Sequence, residues 1–134
     1  MKGDRAFFDT NVLIYAFALN DPRSDAAENL LARGGVVAVQ TLNEFVAVAQ
    51  RKLSMPWKEV LDALDAILVL CPKPVPLTLQ VHQKGLQIAR QHRYRIYDSQ
   101  MIAAALQAAC HTFFSEDMQH GQVIDTLTIR NPFL

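Results

Sequence analysis

The chain has 134 residues, 51% hydrophobic and 19% charged, and this length predicts a single domain over residues 1–134 with a core of its own. This composition excludes a disordered chain, and the balance of 13 Lys and Arg against 13 Asp and Glu excludes a protein that coats nucleic acid through net positive charge. The uninterrupted apolar runs are far shorter than the roughly 20 residues of a membrane span and the first residues do not resemble a signal peptide, so we expect a soluble, cytoplasmic protein without membrane contact.

The predicted strands are short and apolar, and helices with one apolar face separate them. Strands are predicted at residues 6–8, 36–39, 112–114 and 127–129, with a further one near 68–71. Helices are predicted at residues 22–33, 42–53, 56–68, 78–91 and 98–109, with a short helix or turn at 12–15. This alternation predicts an α/β fold in which helices wrap a parallel sheet. Trp57 is expected to anchor its helix in the core, and Cys71 and Cys110 are expected to be reduced core residues.

Four acidic residues stand where predicted strands end or helices begin. Asp9 directly follows the first strand, and Glu44 comes five residues after the second, in the first turn of a helix. Asp98 opens the sixth helix on its apolar face, and Asp117 lies just past the strand at 112–114. Each also has an ordinary explanation as a helix cap, a dipole partner or a turn residue. Because parallel strands bring their carboxyl ends to one edge of the sheet, where α/β folds bind ligands, we expect the four carboxylates to meet there.

Four neighbouring carboxylates need a positive partner, because they repel one another and their charged forms cannot be buried alone. No Lys or Arg stands beside Asp9 or Glu44 in the sequence, so a divalent cation is the expected partner. Oxygen ligands suit Mg²⁺ or Mn²⁺, and the pattern lacks the nitrogen and sulfur ligands of a zinc site. Such ions assist the hydrolysis of phosphodiester bonds, and the chain has none of the common nucleophile or nucleotide-binding motifs.

Four segments resemble the sequence motifs of PIN-domain ribonucleases. They are residues 7–15 (FFDTNVLIY), 41–45 (TLNEF), 97–105 (YDSQMIAAA) and 115–121 (SEDMQHG). Each motif by itself has low specificity. Their order and spacing, in a chain of this length, are similar to those of the VapC toxins of type II toxin–antitoxin modules, and the resemblance extends over nearly the whole chain.

The resemblance implies a PIN-like α/β fold with a central, mostly parallel five-stranded sheet flanked by helices. It also implies a toxin that is a Mg²⁺- or Mn²⁺-dependent endoribonuclease and is inhibited by a cognate antitoxin. Carried over residue by residue, the catalytic and metal-binding set is Asp9, Glu44, Asp98 and Asp117. In this set Glu44 binds the metal directly or through water, and the supporting hydroxyl groups near the metal correspond to Thr10 and Ser115.

Two positions differ from the family pattern or compete with it. Glu116 stands beside Asp117 and is an alternative ligand, although adjacent side chains in an extended turn point in different directions. Ser99 follows the third acid, where the family frequently has Ala, and this departure leaves the metal site untouched.

Three arginines, Arg90, Arg93 and Arg95, cluster shortly before Asp98. They are interpreted either as cations favoured near the C-terminus of a helix or as a patch that guides RNA phosphates to the metal site. The apolar residues of the first helices belong either to the core or to a groove for an antitoxin helix or a homodimer contact.

Two other functions are compatible with this pattern. The first is a non-catalytic PIN module that binds RNA or protein and retains the acids as relics. The second is a phosphatase or phosphotransferase with Asp9 as the nucleophile, which is disfavoured because that chemistry usually has a second Asp where this chain has Asn11. The sequence leaves open which RNA is cut, and whether one or two metal ions act.

Overall fold

A short strand leads directly into the first of six consecutive helices, and three further strands follow the last helix, within residues 5–134, the part of the chain that the computed structural model describes. The helices of this part are α1 (Thr10–Phe17), α2 (Ser24–Ala32), α3 (Val39–Lys52), α4 (Trp57–Leu70), α5 (Leu79–His92) and α6 (Ile96–Gln107). Its strands are β1 (Ala6–Phe8), β2 (Thr112–Phe114), β3 (Val123–Ile124) and β4 (Leu127–Arg130). None of these helices is long and apolar enough to cross a membrane.

The sheet has the strand order β1-β2-β4-β3. β1 pairs with β2 and β2 with β4 in parallel, whereas β3 pairs antiparallel with β4. Phe7, Phe113 and Ile129 therefore lie side by side across the three parallel strands. The α/β class and the mostly parallel sheet flanked by helices are confirmed. Because β1 and β2 run the same way, they end at the same edge, where the Asp9 backbone amide donates to the Phe114 carbonyl at 3.0 Å.

The sheet has four strands in the described residues and not the five expected, and the strand predicted near residues 68–71 is wrong. Residues 68–70 belong to the last turn of α4 and Cys71 is its C-cap, whose amide donates to the Ile67 carbonyl at 2.7 Å. A short apolar run fits a strand or a buried helix face equally well. Here Ile67 and Cys71 lie one helical turn apart and both are buried, so the helix brings both into the core.

The strand predicted at residues 36–39 pairs only through isolated bridges. Val36 bridges to Phe7 and Ala38 bridges to Val75, both in parallel. α3 already begins at Val39, so the extended segment is too short for a continuous ladder. At the opposite edge of the sheet, the two-residue strand β3, which was not predicted, pairs with β4.

The core has two layers, because successive side chains of a strand point to opposite faces of the sheet. On the face covered by α5 and α6, Phe7 stacks on Phe113 with ring centroids 5.1 Å apart. On the face covered by α1 to α4, Phe8 stacks on Phe114 at 6.2 Å. Fully burying one such side chain contributes roughly 1.5–3 kcal/mol, so both layers hold the ends of β1 and β2 beneath the edge that carries Asp9.

Two predictions about single residues have opposite outcomes. Trp57 does not anchor α4 in the core: it is the first residue of the helix and 61% exposed, because the buried face starts one turn later at Val60. Cys71 and Cys110 are both free thiols and both buried, as predicted.

Candidate active site

Asp9 is a buried carboxylate at the junction of β1 and α1. Its Oδ1 accepts a hydrogen bond from the Thr10 backbone amide and its Oδ2 accepts one from the Ser115 hydroxyl, each at 2.7 Å. Asp9 is only 4% exposed, and this burial raises its pKa to about 7, because little water remains to stabilise the charged form. The two hydrogen bonds oppose the rise, and the charges of Asp98 and Asp117 add to it. Within the part of the chain that the structure describes, no positively charged group is among the causes of this pKa shift, so the ionised carboxylate is not neutralised by a neighbouring cation.

Asn11, which was not among the predicted site residues, links the first and fourth acids. Its side-chain Nδ2 donates to Asp117 Oδ2 at 3.1 Å and to Asp9 Oδ2 at 3.4 Å. A neutral amide can lie between two carboxylates without adding to their repulsion. The available signal was its position two residues after Asp9, in the first turn of α1, but sequence alone does not distinguish a bridging Asn from a capping one.

Ser115 joins the same two acids from the other side. Its buried hydroxyl donates to Asp9 and accepts the Asp117 backbone amide at 3.2 Å. These contacts suit a supporting hydroxyl, and a part in catalysis stays a prediction.

Glu44 reaches this edge from α3. Its Oε1 accepts from the Thr10 hydroxyl at 3.4 Å and its Oε2 accepts from the Gln40 side-chain amide at 2.8 Å. The prediction that Glu44 lies in the first turn of its helix is wrong. Because α3 begins at Val39, Glu44 lies in the second turn. The explanation of Glu44 as a dipole partner therefore weakens, since that effect is confined to the first turn. Both hydrogen-bond donors are neutral.

Asp98 approaches the cluster from α6. The helix begins at Ile96, two residues earlier than predicted, so Asp98 does not open it. The Asp98 side chain is 19% exposed, and its charge contributes to the raised pKa of Asp9. Asp98 is thus near enough to act on Asp9 electrostatically.

The three predicted arginines are all exposed, and one of them contacts an acid. Arg95 Nε lies 3.4 Å from Asp98 Oδ2, and because its side chain is 81% exposed this ion pair is weak. Arg90 lies in the last turn of α5 and Arg93 is its C-cap, with a left-handed backbone. An exposed arginine beside the acidic edge can meet a phosphate without losing a buried partner.

The oxygen atoms of this cluster are of the kind that bind a hard divalent cation, but the acids are spread along the edge and do not surround one point. Among residues 5–134, no three Asp, Glu, His or Cys side chains lie close enough together to hold a metal ion as they stand. Thr10 and Asn11 instead connect the acids through hydrogen bonds. The available donors are carboxylate and hydroxyl oxygens, which Mg²⁺ and Mn²⁺ prefer. The raised pKa of Asp9 marks uncompensated negative charge at the same place.

Comparison with known proteins adds independent findings. The profile of the PIN domain family matches residues 6–123. No curated protein gives a significant sequence match. Among solved structures, a toxin–antitoxin complex from Klebsiella pneumoniae is similar with a TM-score of 0.73 and 15% identity, covering 96% of this chain and 98% of that chain.

Two further solved structures share the fold. VapC20 of Mycobacterium tuberculosis, a sarcin–ricin loop cleaving toxin, has a TM-score of 0.67 and 16% identity over 84% of this chain and 91% of its own. VapBC2 of Rickettsia felis, bound to a DNA fragment from its promoter, has a TM-score of 0.66 and 15% identity over 94% of this chain and 97% of its own. At sequence identities of 15–16%, the similarity to these structures establishes a shared fold.

Proposed function

Because the chain belongs to the PIN domain family, we propose that it is the toxin of a type II toxin–antitoxin module. Its activity would be that of a Mg²⁺- or Mn²⁺-dependent endoribonuclease that hydrolyses RNA phosphodiester bonds. The four sequence motifs support this proposal through particular residues. The solved neighbours support it through the fold, since one is a toxin–antitoxin complex and another is a sarcin–ricin loop cleaving toxin.

One observation carries the proposal, namely the buried and undercompensated carboxylate of Asp9 at the carboxyl end of the sheet. Its pKa is raised to about 7 by burial. The neutral side chain of Asn11 bridges it to Asp117, and the hydroxyl of the adjacent Thr10 donates to Glu44. Asp98 acts on Asp9 through its charge. A fold retains such a costly arrangement where a bound cation offsets it.

In this proposal Asp9, Asp98 and Asp117 hold the cation, and Glu44 binds it directly or through water. A divalent cation supplies an activated water and neutralises charge on the scissile phosphate. The Ser115 hydroxyl orients one oxygen of Asp9, and the backbone amide at the start of α1 orients the other. Because both oxygens are held in place, little reorientation of Asp9 is needed when the cation binds.

The arginines would act on the substrate before the chemical step. Arg95 lies beside Asp98, and with Arg90 and Arg93 it would attract the phosphates of the RNA backbone. Contacts of this kind position a strand but do not read its bases, so they leave the target sequence open.

A cognate antitoxin is the proposed protein partner, and a homodimer is the proposed assembly. The neighbours from K. pneumoniae and R. felis are themselves complexes of toxin with antitoxin. Co-expression with the antitoxin would relieve the growth arrest that the toxin alone produces, and sedimentation of the purified chain would determine its assembly.

The experiment compares the wild type with Asp9→Asn, and uses Asp65→Asn on the exposed face of α4 as the matched control. Each protein is induced in a bacterial host, and each purified protein is incubated with total RNA in Mg²⁺ or in EDTA. We expect growth arrest and discrete RNA cuts from the wild type and Asp65→Asn, and neither from Asp9→Asn. EDTA should abolish the cuts made by the purified wild type. Full cleavage by folded Asp9→Asn would contradict the metal assignment. RNA binding without cleavage in any divalent metal would favour the non-catalytic module.

A further inference from the structure

Glu116, the neighbour of Asp117, turns away from the acidic cluster and is held by two residues from other segments. The Tyr15 hydroxyl donates to Glu116 Oε1 at 2.5 Å. Arg23 Nη1 donates to the two carboxylate oxygens at 3.2 and 3.0 Å. Tyr15 belongs to α1, and Arg23 is the N-cap residue of α2. Since both oxygens of Glu116 are engaged, it does not compete with Asp117 for a cation.

The guanidinium of Arg23 is itself oriented on two further sides. Asp21 accepts from Arg23 Nε and Nη2, each at 3.0 Å, which is a bidentate pair. The Arg23 guanidinium also lies 3.9 Å from the centre of the Tyr15 ring, and the edge-on ring of Phe133 packs against Tyr15 at 5.2 Å. A bidentate pair adds directional precision to its charge, so Arg23 presents Nη1 to Glu116 in a defined direction.

The Tyr15 hydroxyl is available as a donor over the whole physiological range. Burial and the neighbouring carboxylate of Glu116 raise the pKa of Tyr15 to about 12. The phenol therefore keeps its proton near neutral pH, and the hydrogen bond to Glu116 persists.

Asp117 lies in a segment that has no regular secondary structure to hold it. Residues 116–118 form bends, and Asp117 is exposed. The backbone amide of Glu116 donates to Asn11 Oδ1 at 3.3 Å, and the Asp117 carboxylate accepts from the same side chain at 3.1 Å. Ser115 holds the backbone amide of Asp117 and Asn11 holds its carboxylate, and the direction of Asp117 depends in addition on the fixed position of the residue before it.

We infer that Tyr15, Arg23 and Glu116 form a positioning clamp, which holds the backbone before Asp117 so that its carboxylate faces the other acids. This inference rests on the proposed metal-dependent function. The three residues act through Asp117 and are positioning residues. Losing the clamp weakens the binding of the cation, while the chemical step proceeds once the cation is bound.

The test measures Mn²⁺ binding to the full-length chain by isothermal titration calorimetry, without RNA. Tyr15→Phe removes the hydroxyl but keeps the ring that packs on Arg23, and Glu116→Gln removes the charge but keeps the shape. Each variant should raise the Kd for Mn²⁺ by about five- to tenfold, which is less than the full effect of losing a charge-assisted hydrogen bond, because the clamp acts on the cation only through Asp117. Glu28→Gln, at an exposed position on α2, is the control and should bind Mn²⁺ as the wild type does. The double variant Tyr15→Phe/Glu116→Gln should raise the Kd by less than the product of the two single effects, because both changes act on neighbouring contacts of the same side chain.

A second measurement separates positioning from general damage to the fold. In RNA cleavage, both clamp variants should need more Mn²⁺ for half-maximal activity, and saturating Mn²⁺ should restore a kcat near that of the wild type with an unchanged KM for RNA. Far-UV circular dichroism follows folding, and if Glu116→Gln does not fold, Tyr15→Phe decides the outcome.

The remaining outcomes distinguish this inference from the function on which it rests. Wild-type affinity for Mn²⁺ in both clamp variants, together with lost binding in Asp9→Asn, would overturn the clamp and leave the nuclease proposal standing. A kcat deficit that excess Mn²⁺ does not restore would also overturn the clamp. A folded wild type that neither binds Mn²⁺ nor cuts RNA would overturn both.

Discussion

Asp9→Asn tests the electrostatic argument for the site without any RNA. The pKa of Asp9 rises from an ordinary value of 3.8 to about 7 in the folded chain. Because one pKa unit corresponds to about 1.4 kcal/mol, burial disfavours the ionised carboxylate by about 4 kcal/mol. In the folded wild type the Asp9 carboxyl group keeps its proton up to about pH 7, whereas in the unfolded chain it loses the proton near pH 4. Its stability therefore falls as the pH rises through that window, and the loss is complete above it.

The Asn variant carries no such proton and escapes this loss. It pays a smaller penalty, because its amide group meets the Ser115 hydroxyl and the Asn11 amide less favourably than a carboxylate does, which costs about 1–2 kcal/mol. At about pH 8 in EDTA, Asp9→Asn should be more stable than the wild type by about 2 kcal/mol. At about pH 4, where Asp9 is largely protonated, the variant should be the less stable of the two. The difference between the two proteins should thus change sign with pH.

Urea unfolding followed by far-UV circular dichroism measures both differences. Asp65→Asn, an exposed carboxylate on α4, serves as the control and should stay within about 0.5 kcal/mol of the wild type at either pH. Adding Mn²⁺ to about 100 times its Kd should stabilise the wild type alone by about 2.7 kcal/mol and so reverse the order at pH 8. An Asn variant that is less stable than the wild type at pH 8 in EDTA, by the same amount as at pH 4, would refute the reasoning.

Three further changes test other parts of the structure. Ser115→Ala removes the hydrogen bond that lowers the pKa of Asp9, so the midpoint of Mn²⁺ binding against pH should move upward; an unchanged midpoint would show that this bond does not tune the carboxylate. Gly35→Ala would place a Cβ 2.6 Å from the Phe8 ring and 2.8 Å from the Ala6 carbonyl oxygen and should cost about 1–3 kcal/mol of stability in urea unfolding, whereas a neutral result would mean that both the ring and the backbone of β1 can shift. Ser99→Ala should stabilise the chain by about 1 kcal/mol, because the buried Ser99 hydroxyl has no hydrogen-bond partner among residues 5–134; a loss of stability would reveal a partner for that hydroxyl.

Local patterns in the sequence were enough to predict most of the elements. Strand β1 and strand β2 were predicted at their observed bounds, and the later helices within a few residues. The reason is that hydrophobic periodicity and turn residues act over short distances along the chain. The same patterns failed near residues 68–71, where a helix and a buried strand present the same apolar run and only the neighbouring layer decides between them.

For the candidate site, the sequence identified the acids and the tertiary structure identified what surrounds them. Asp9 could be selected because it follows a strand in a recognisable motif. That its pKa is raised, that Asn11 bridges it to Asp117, and that Glu116 turns away to Arg23 depend on contacts between segments about 90 to 106 residues apart. Spacing along the chain carries no information about such contacts.

The sequence by itself determined where the candidate acids stand relative to the ends of strands and the starts of helices, because hydrophobic periodicity locates those ends along the chain. Only the tertiary structure decided how strongly each carboxylate is buried and which neighbour holds it. Burial and hydrogen-bond geometry arise when distant segments pack together, and these two quantities control the charge of Asp9 and the direction of Asp117.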